Sequence, residues 1–188
     1  GDTFALDTSC VIRMSTPIHP VMDNCYLDLY YFFVPNRILW EHWNEFMGEN
    51  TTTTWEQETE YEIPQITSPS GGWNKGTIAD YLGMPIGISN ISVNHLPFRA
   101  YVNIWNEWFR DQNVQDPAYL TKEDATTTGT NGSTYQSDAQ CGGEPLPVAK
   151  YHDYFTSALP EPQKGPSVPF PLSGNAPVIG TGKTIGIS

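Results

Sequence analysis

The sequence has little positive charge. Nine lysines and arginines stand against 21 aspartates and glutamates, which gives a formal net charge of −12 over 188 residues. Electrostatic binding of nucleic acid depends on many Lys and Arg contacts to phosphate, with release of counterions. The composition therefore argues against binding of DNA through a broad positively charged surface.

Long apolar runs are also absent. No stretch reaches the roughly 18 apolar residues that a membrane-spanning helix needs, and the first residues lack the charged and then apolar pattern of a signal peptide. We therefore expect no membrane association. The sequence begins at Gly1 without Met and ends in a glycine-rich run, so we expect both ends to be cut from a longer protein.

Cysteine is scarce, with Cys10, Cys25 and Cys141 only. This odd number has no metal-like spacing. Cys10 and Cys25 lie inside apolar strand patterns, where a free cysteine packs as a small hydrophobic residue. We predict three unpaired thiols, which fits a cytosolic origin.

The motifs of common catalytic sites are missing. The sequence has no nucleophile elbow, no glycine-rich phosphate loop with the required spacing and no dinucleotide-binding turn. No two histidines have the i, i+4 spacing that places two imidazoles on one metal, so neither a metal nor another cofactor is predicted. The four histidines, each assigned a structural or surface role, are His19, His42, His95 and His152.

Two weaker catalytic patterns remain. His152 and Asp153 are adjacent, and adjacent residues on a helix do not face each other. A carboxylate pair of the kind that cleaves sugars would have to come from acidic residues on polar helix faces, where solvated charge is the default: Glu41, Glu45, Glu107 and Asp111. We therefore predict that the chain is not an enzyme.

The chain is instead rich in aromatic residues, at 13%, and has 16 glycines and 16 prolines. This composition is typical of many short elements joined by tight turns. Apolar and polar residues alternate over 3–16, which predicts a half-buried strand. Both faces of 25–34 are apolar, which predicts a strand covered on both sides. A weak strand is predicted at 59–66, where Pro64 interrupts it.

Helical spacing appears in four places. The pattern predicts a short amphipathic helix ending at Gly48, one turn over 77–82 and a helix over 150–159. The strongest pattern opens at Pro97 and places its large side chains along one face: Phe98, Tyr101, Ile104, Trp105, Trp108 and Phe109.

Residues 121–143 are mostly Thr, Gly, Ser and Asn, and we expect an exposed, mobile loop there. The whole pattern is that of a mainly β protein, an elaborated sandwich with short inserted helices and long loops. Arg99 and Arg110 flank the aromatic helix, and base stacking on its rings would need such cations, but core packing is the favoured role of those rings.

Four segments together resemble the major capsid protein of the Microviridae, small single-stranded DNA phages, and in particular its gokushovirus branch. They are TPIHPVMDN with the aromatic strand up to Arg37 (16–37), WNEFMGE (43–49), LPFRAY with IWNEWFRD (96–111), and KYHDYFTSALP with PQKGP (150–166).

The resemblance implies an eight-stranded viral jelly roll, of which residues 1–188 would be the N-terminal portion of a single domain. A variable insertion would begin near 170–188. It also implies a subunit that assembles with copies of itself into a small icosahedral shell around a circular single-stranded DNA genome. Its partners would include other phage structural or scaffolding proteins, and it would be found in the virion after assembly in the host bacterial cytoplasm.

An alternative from composition is a jelly-roll carbohydrate-binding module, in which exposed Trp and Tyr stack on sugar rings. Such modules are usually secreted, and the Trp clusters here have the spacing of buried helix seams. Both features favour the capsid interpretation, and an enzyme ranks third.

Overall fold

The computed structural model describes residues 3–50, 60–150 and 154–155. Contacts divide the chain into two units, Gly1–Phe33 and Val34–Ser188. All helices and strands of the described residues lie in the second unit, in the order α1 (Asn36–Leu39), α2 (Trp43–Phe46), β1 (Gln65–Thr67), α3 (Ile78–Tyr81), β2 (Ser92–Asn94), α4 (Leu96–Ile104), a π-helical turn (Trp105–Phe109), β3 (Thr127–Thr128) and a 3-10 turn (Ala139–Cys141).

The first unit contains neither of the two strands predicted for it. Residues 3–33 have no regular secondary structure, and most apolar side chains of both patterns are exposed, among them Ile12 and Tyr26. Cys10 and Cys25 are free, as predicted, but both are exposed instead of packed. A strand is completed only by a neighbour that accepts its backbone hydrogen bonds, and in the part of the chain that the structure describes no strand pairs with this segment.

The second unit is built around a small sheet. Strand β1 is central, with β2 antiparallel on one side and β3 parallel on the other. Ile66 lies opposite Val93 and Thr127 and is fully buried. Strand β1 begins directly after Pro64, so only the end of the weak strand predicted at 59–66 is confirmed. A small sheet with a few short helices is compatible with a mainly β protein.

Helix α4 confirms the strongest helical prediction. It begins at Leu96, with a proline in its first turn, and its buried face packs Phe98 and Val102 into the core. The chain continues into the π-helical turn, where Trp105 is buried and Trp108 is 71% exposed. The core also holds Trp73, Ile78 and Ala79.

The other predicted helices had mixed outcomes. Helix α3 with Thr77 as its N-cap confirms the turn expected over 77–82, since the Thr77 side chain accepts the amide hydrogen of Asp80. The single helix predicted up to Gly48 is two helices, α1 and α2, because the chain is extended at Trp40. The helix predicted at 150–159 falls almost wholly outside the described residues, as does the insertion near 170–188.

Residues 121–143 differ from the expected exposed loop. Their first part is mostly exposed, but Gly129, Gln140 and Gly142 are buried. A Cβ atom added to Gly129 or Gly142 would lie within 3.0 Å of the Trp73 side chain. The segment therefore packs by bringing its backbone against Trp73, which a composition poor in apolar side chains does not reveal.

Candidate functional site: an uncovered segment and a buried arginine junction

The uncovered segment, residues 3–33, carries large apolar side chains in water. Val11, Ile18 and Met22 are each more than 90% exposed. Isolated surface apolar residues are ordinary, but a long run of them marks a surface that is covered in the working protein. A few internal contacts exist, such as the Phe4 and Phe33 rings, whose centroids lie 5.5 Å apart.

The buried arginine junction is centred on Arg99 in helix α4, which is fully buried. Its guanidinium Nη1 donates to the carbonyl oxygen of Leu39 at 3.1 Å, and Nη2 donates to that of Glu123 at 2.7 Å. Helix α1 and the chain around residue 123 are therefore both attached to α4 by one side chain. Burial lowers the pKa of Arg99, and the nearby charges of Asp124 and Glu123 oppose that shift.

His95 completes the inner side of the junction. Its Nδ1 accepts the Nε–H of Arg99 at 3.2 Å, and its Nε2 lies 2.8 Å from the carbonyl oxygen of Gln140. A carbonyl only accepts and Arg99 only donates, so the imidazole is neutral and carries its proton on Nε2. The pKa of His95 is lowered to about 4, mainly by burial; the bond to Gln140 opposes the shift and the charge of Arg99 adds to it.

Asp124 forms the outer side of the junction. Its carboxylate accepts hydrogen bonds from Trp40 Nε1 and from His42 Nδ1, and the closest approach to the His42 nitrogen is 2.9 Å. Burial alone would raise the pKa of Asp124, but the bonds from His42 and Trp40 and the charge of Arg99 lower it overall. The bond to Asp124 raises the pKa of His42, whose ring also stacks on Tyr61.

The residues weighed as possible catalytic groups do not form a catalytic cluster. Among the described residues, no group of three or more His, Cys, Asp or Glu is placed to hold a metal. Glu41 is exposed in the turn between α1 and α2, not on a helix face as predicted, and Glu107 is exposed in the π-helical turn. His152 with Asp153 lies outside the described residues. Cys141 is a free, half-buried thiol whose pKa is raised by burial and by Asp138, so it is a poor nucleophile.

The two arginines considered for nucleic-acid stacking are occupied. Arg99 is buried in the junction, and Arg110 donates to the carbonyl oxygens of Gln115 at 2.6 Å and Asn106 at 3.4 Å. Their hydrogen-bond donors serve the fold. The junction was missed in the sequence although a signal was present: His95 and Arg99 are four residues apart, on the same helical face as the buried Val102.

Comparison with known proteins decides the family. Residues 1–186 match the phage family described as Capsid protein (F protein). The chain belongs to this capsid protein family. It is 44% identical over 178 residues to Capsid protein VP1 of Spiroplasma virus 4, which covers 95% of this chain and 32% of that protein. It is 43% identical to Capsid protein VP1 of Bdellovibrio phage phiMH2K over 95% of this chain and 31% of that protein.

Capsid protein VP1 of Chlamydia phage 1 is 40% identical over 187 residues, 93% of this chain and 30% of that protein. The chain thus spans about a third of the length of these curated relatives. The predicted resemblance to the capsid protein of small DNA phages is confirmed. No helix among the described residues is long and apolar enough to cross a membrane.

Proposed function

We propose that this chain is the N-terminal part of a non-enzymatic capsid subunit that assembles with copies of itself into a closed icosahedral shell around a circular single-stranded DNA genome. Its place would be the virion, after assembly in the host bacterial cytoplasm with other phage structural or scaffolding proteins. The observation that carries the proposal is the uncovered segment in a member of the capsid family.

The uncovered segment has the pattern of strands that lack partners. Phe4, Leu6, Ile12 and Met14 share one parity and would form one face of a strand. About two thirds of the length of the relatives lies outside the matched region, so strands to pair with this segment have room there. We infer that the complete subunit is a jelly roll, in which residues 3–33 contribute strands and the described part of the second unit is an elaboration between strands.

The charge of the chain indicates that this part of the subunit contributes little to DNA binding within the shell. With a net charge of −12 and with Arg99 and Arg110 bonded internally, this part has few groups to offer to phosphate. Contacts to the packaged DNA would come mainly from other parts of the subunit or from other phage proteins.

Assembly of the full-length protein tests the proposal. Sedimentation velocity and electron microscopy should show closed particles, or uniform oligomers that close when the accessory phage proteins are added. Ile12→Asp places a charge on the apolar parity and should abolish particles. The matched control, Ser15→Asp, adds the same charge on the opposite parity and should assemble. A monomer that stays monomeric with the accessory proteins present contradicts the proposal.

A further inference from the structure

The arginine junction lies between two apolar clusters of the second unit. The main core surrounds Trp73 and Phe98. A second, smaller apolar cluster holds Leu39, Trp40 and Leu96, with Tyr61 and Ile63 against it. Residues 35–47, which form α1 and α2, pack Leu39 and Trp40 against Leu96 of α4 and are bonded to α4 through Arg99 and Leu39. Trp40 and His42 bond to Asp124, and the Glu41 amide donates to the Lys122 carbonyl oxygen.

We propose that this junction is an acid-opened joint, in which protonation of His95 releases residues 35–47 from helix α4 while the main core stays folded.

The geometry of His95 makes protonation incompatible with the closed junction. A second ring proton on Nδ1 would point at the Nε–H of Arg99, which lies 3.2 Å away. Two donors cannot share a hydrogen bond, and two positive charges would then be buried side by side. Within the described ranges no acidic side chain is bonded to His95: its ring also faces the Thr127 hydroxyl, the Phe98 ring and the carbonyl oxygen of Gln140.

Residues 35–47 are the part released because Arg99 bonds them through the carbonyl oxygen of Leu39. Once its bond to His95 is lost, the guanidinium keeps its bonds to the carbonyls of Leu39 and Glu123 and the attraction of the Asp124 and Glu123 charges. Reorientation toward water breaks the bond to Leu39. Acid also weakens the outer side, since Asp124 carries the hydrogen bonds of Trp40 and His42, with Glu41 and Glu45 as the other charges near His42.

The pH window follows from the sign of the shift. The pKa of His95 is lowered to about 4 from its usual 6.5, so protons bind the open form more readily than the closed one. Opening therefore becomes more favourable as the pH falls from about 6.5 toward 4 and changes little further below. An opening transition within that pH range identifies protonation of His95 as its cause.

Fluorine NMR of the full-length protein labelled with 5-fluorotryptophan tests the joint. Trp40 reports the junction and Trp105, which donates to the Pro147 carbonyl oxygen, reports the main core; each signal is assigned by its Trp→Phe variant. The expected result is that the Trp40 signal changes between pH 6.5 and 4 while the Trp105 signal keeps its native position until lower pH.

His95→Gln supplies the decisive comparison, because glutamine can donate to Gln140 and accept from Arg99 without titrating. It should shift the Trp40 transition at least about tenfold in proton concentration toward acid, whereas His19→Gln, at an exposed histidine, should not. Should His95→Gln fail to fold, the imidazole NMR signals of His95 in the unmodified protein must titrate with the midpoint of Trp40. Three results would overturn the proposal. The Trp40 and Trp105 signals could change together, the Trp40 transition could stay in place in His95→Gln, or Asp124→Asn alone could remove that transition.

Discussion

Residues 3–33 and residues 60–150 are both rich in aromatic and aliphatic side chains, yet only the second region buries them. Ile12 is 65% exposed and Met22 is 92% exposed, whereas Ile66 and Phe98 are fully buried. The second region satisfies its backbone with helices, turns and its own three-stranded sheet, while the strands predicted within 3–33 depend on partners elsewhere. Apolar alternation therefore predicts that a surface is buried, but it does not identify the part of the protein that covers this surface.

The largest effect should come from the main core. Trp73 is fully buried and stacks on Phe98, so Trp73→Ala should lower the free energy of unfolding of the 188-residue chain by about 3–5 kcal/mol. Urea unfolding followed by circular dichroism measures it. Trp108→Ala removes the same side chain where it is 71% exposed and should cost less than about 1 kcal/mol. Equal losses would show that the core has been wrongly placed.

The buried junction should come next. Arg99→Met keeps the length of the side chain but leaves His95 and the carbonyls of Leu39 and Glu123 without their donor, and should cost about 2–4 kcal/mol. The same urea measurement on Arg37→Met, at an exposed arginine of α1, should show a change below about 0.5 kcal/mol. A stabilised Arg99→Met variant would mean that the methionine packs better than the arginine and that the junction contributes little to stability.

Glycine packing against Trp73 should give a smaller effect. Gly142 has a φ of 82°, and an added Cβ would lie 2.8 Å from Trp73 Nε1. Gly76 has a φ of 84° and open space around it. Alanine at either site pays the left-handed backbone cost of about 1–2 kcal/mol, so the extra loss in Gly142→Ala over Gly76→Ala, about 1–2 kcal/mol, isolates the overpacking. Thermal unfolding of both variants gives the difference, and identical losses would argue against close packing at Gly142.

The partly exposed pair of His42 and Asp124 should have the smallest effect. The side chains are 32% and 43% exposed, so solvent screening limits the contribution of the pair to less than about 1 kcal/mol. The pKa of His42 is raised above 6.5 and the pKa of Asp124 is lowered below 3.8. Both groups are therefore charged, and the pair stabilises the fold, at pH values between these two pKa values. This contribution is lost as the pH rises through the pKa of His42 or falls through that of Asp124.

Urea unfolding of His42→Gln should therefore differ more from the unmodified chain at pH 5.5 than at pH 8.5. His19→Gln, at an exposed histidine, should show no such difference at either pH. A His42→Gln effect that grows with rising pH would contradict the assigned charge of the pair.

The sequence allowed part of this to be predicted. The i, i+3 and i+4 spacing from Phe98 to Trp105 predicted helix α4 because a helix buries one continuous stripe. The segments around Trp43 and Arg99 indicated the capsid family, which the comparisons confirm. These features depend on local pattern or on long sequence matches.

The missed features depend on what lies far away along the chain. The alternation over 3–16 predicted a paired strand, but pairing requires a neighbour that the described residues do not contain. Gly142 is buried because glycine lets the backbone approach Trp73, a contact more than 60 residues distant in sequence. Arg99 is buried because Leu39 and Glu123 bring their carbonyls to it, although an arginine on a helix is usually solvated.

Amide hydrogen exchange, measured on the 188-residue chain and on the full-length subunit, tests the contrast between the two regions most directly. We expect residues 3–33 to exchange almost without protection in the shorter chain and to become at least about a hundredfold more protected in the full-length protein. Helix α4 and strand β1 should be protected to a similar degree in both. If residues 3–33 remain unprotected in the assembled full-length protein, they do not form strands that pair with another part of the subunit, and the proposal is contradicted.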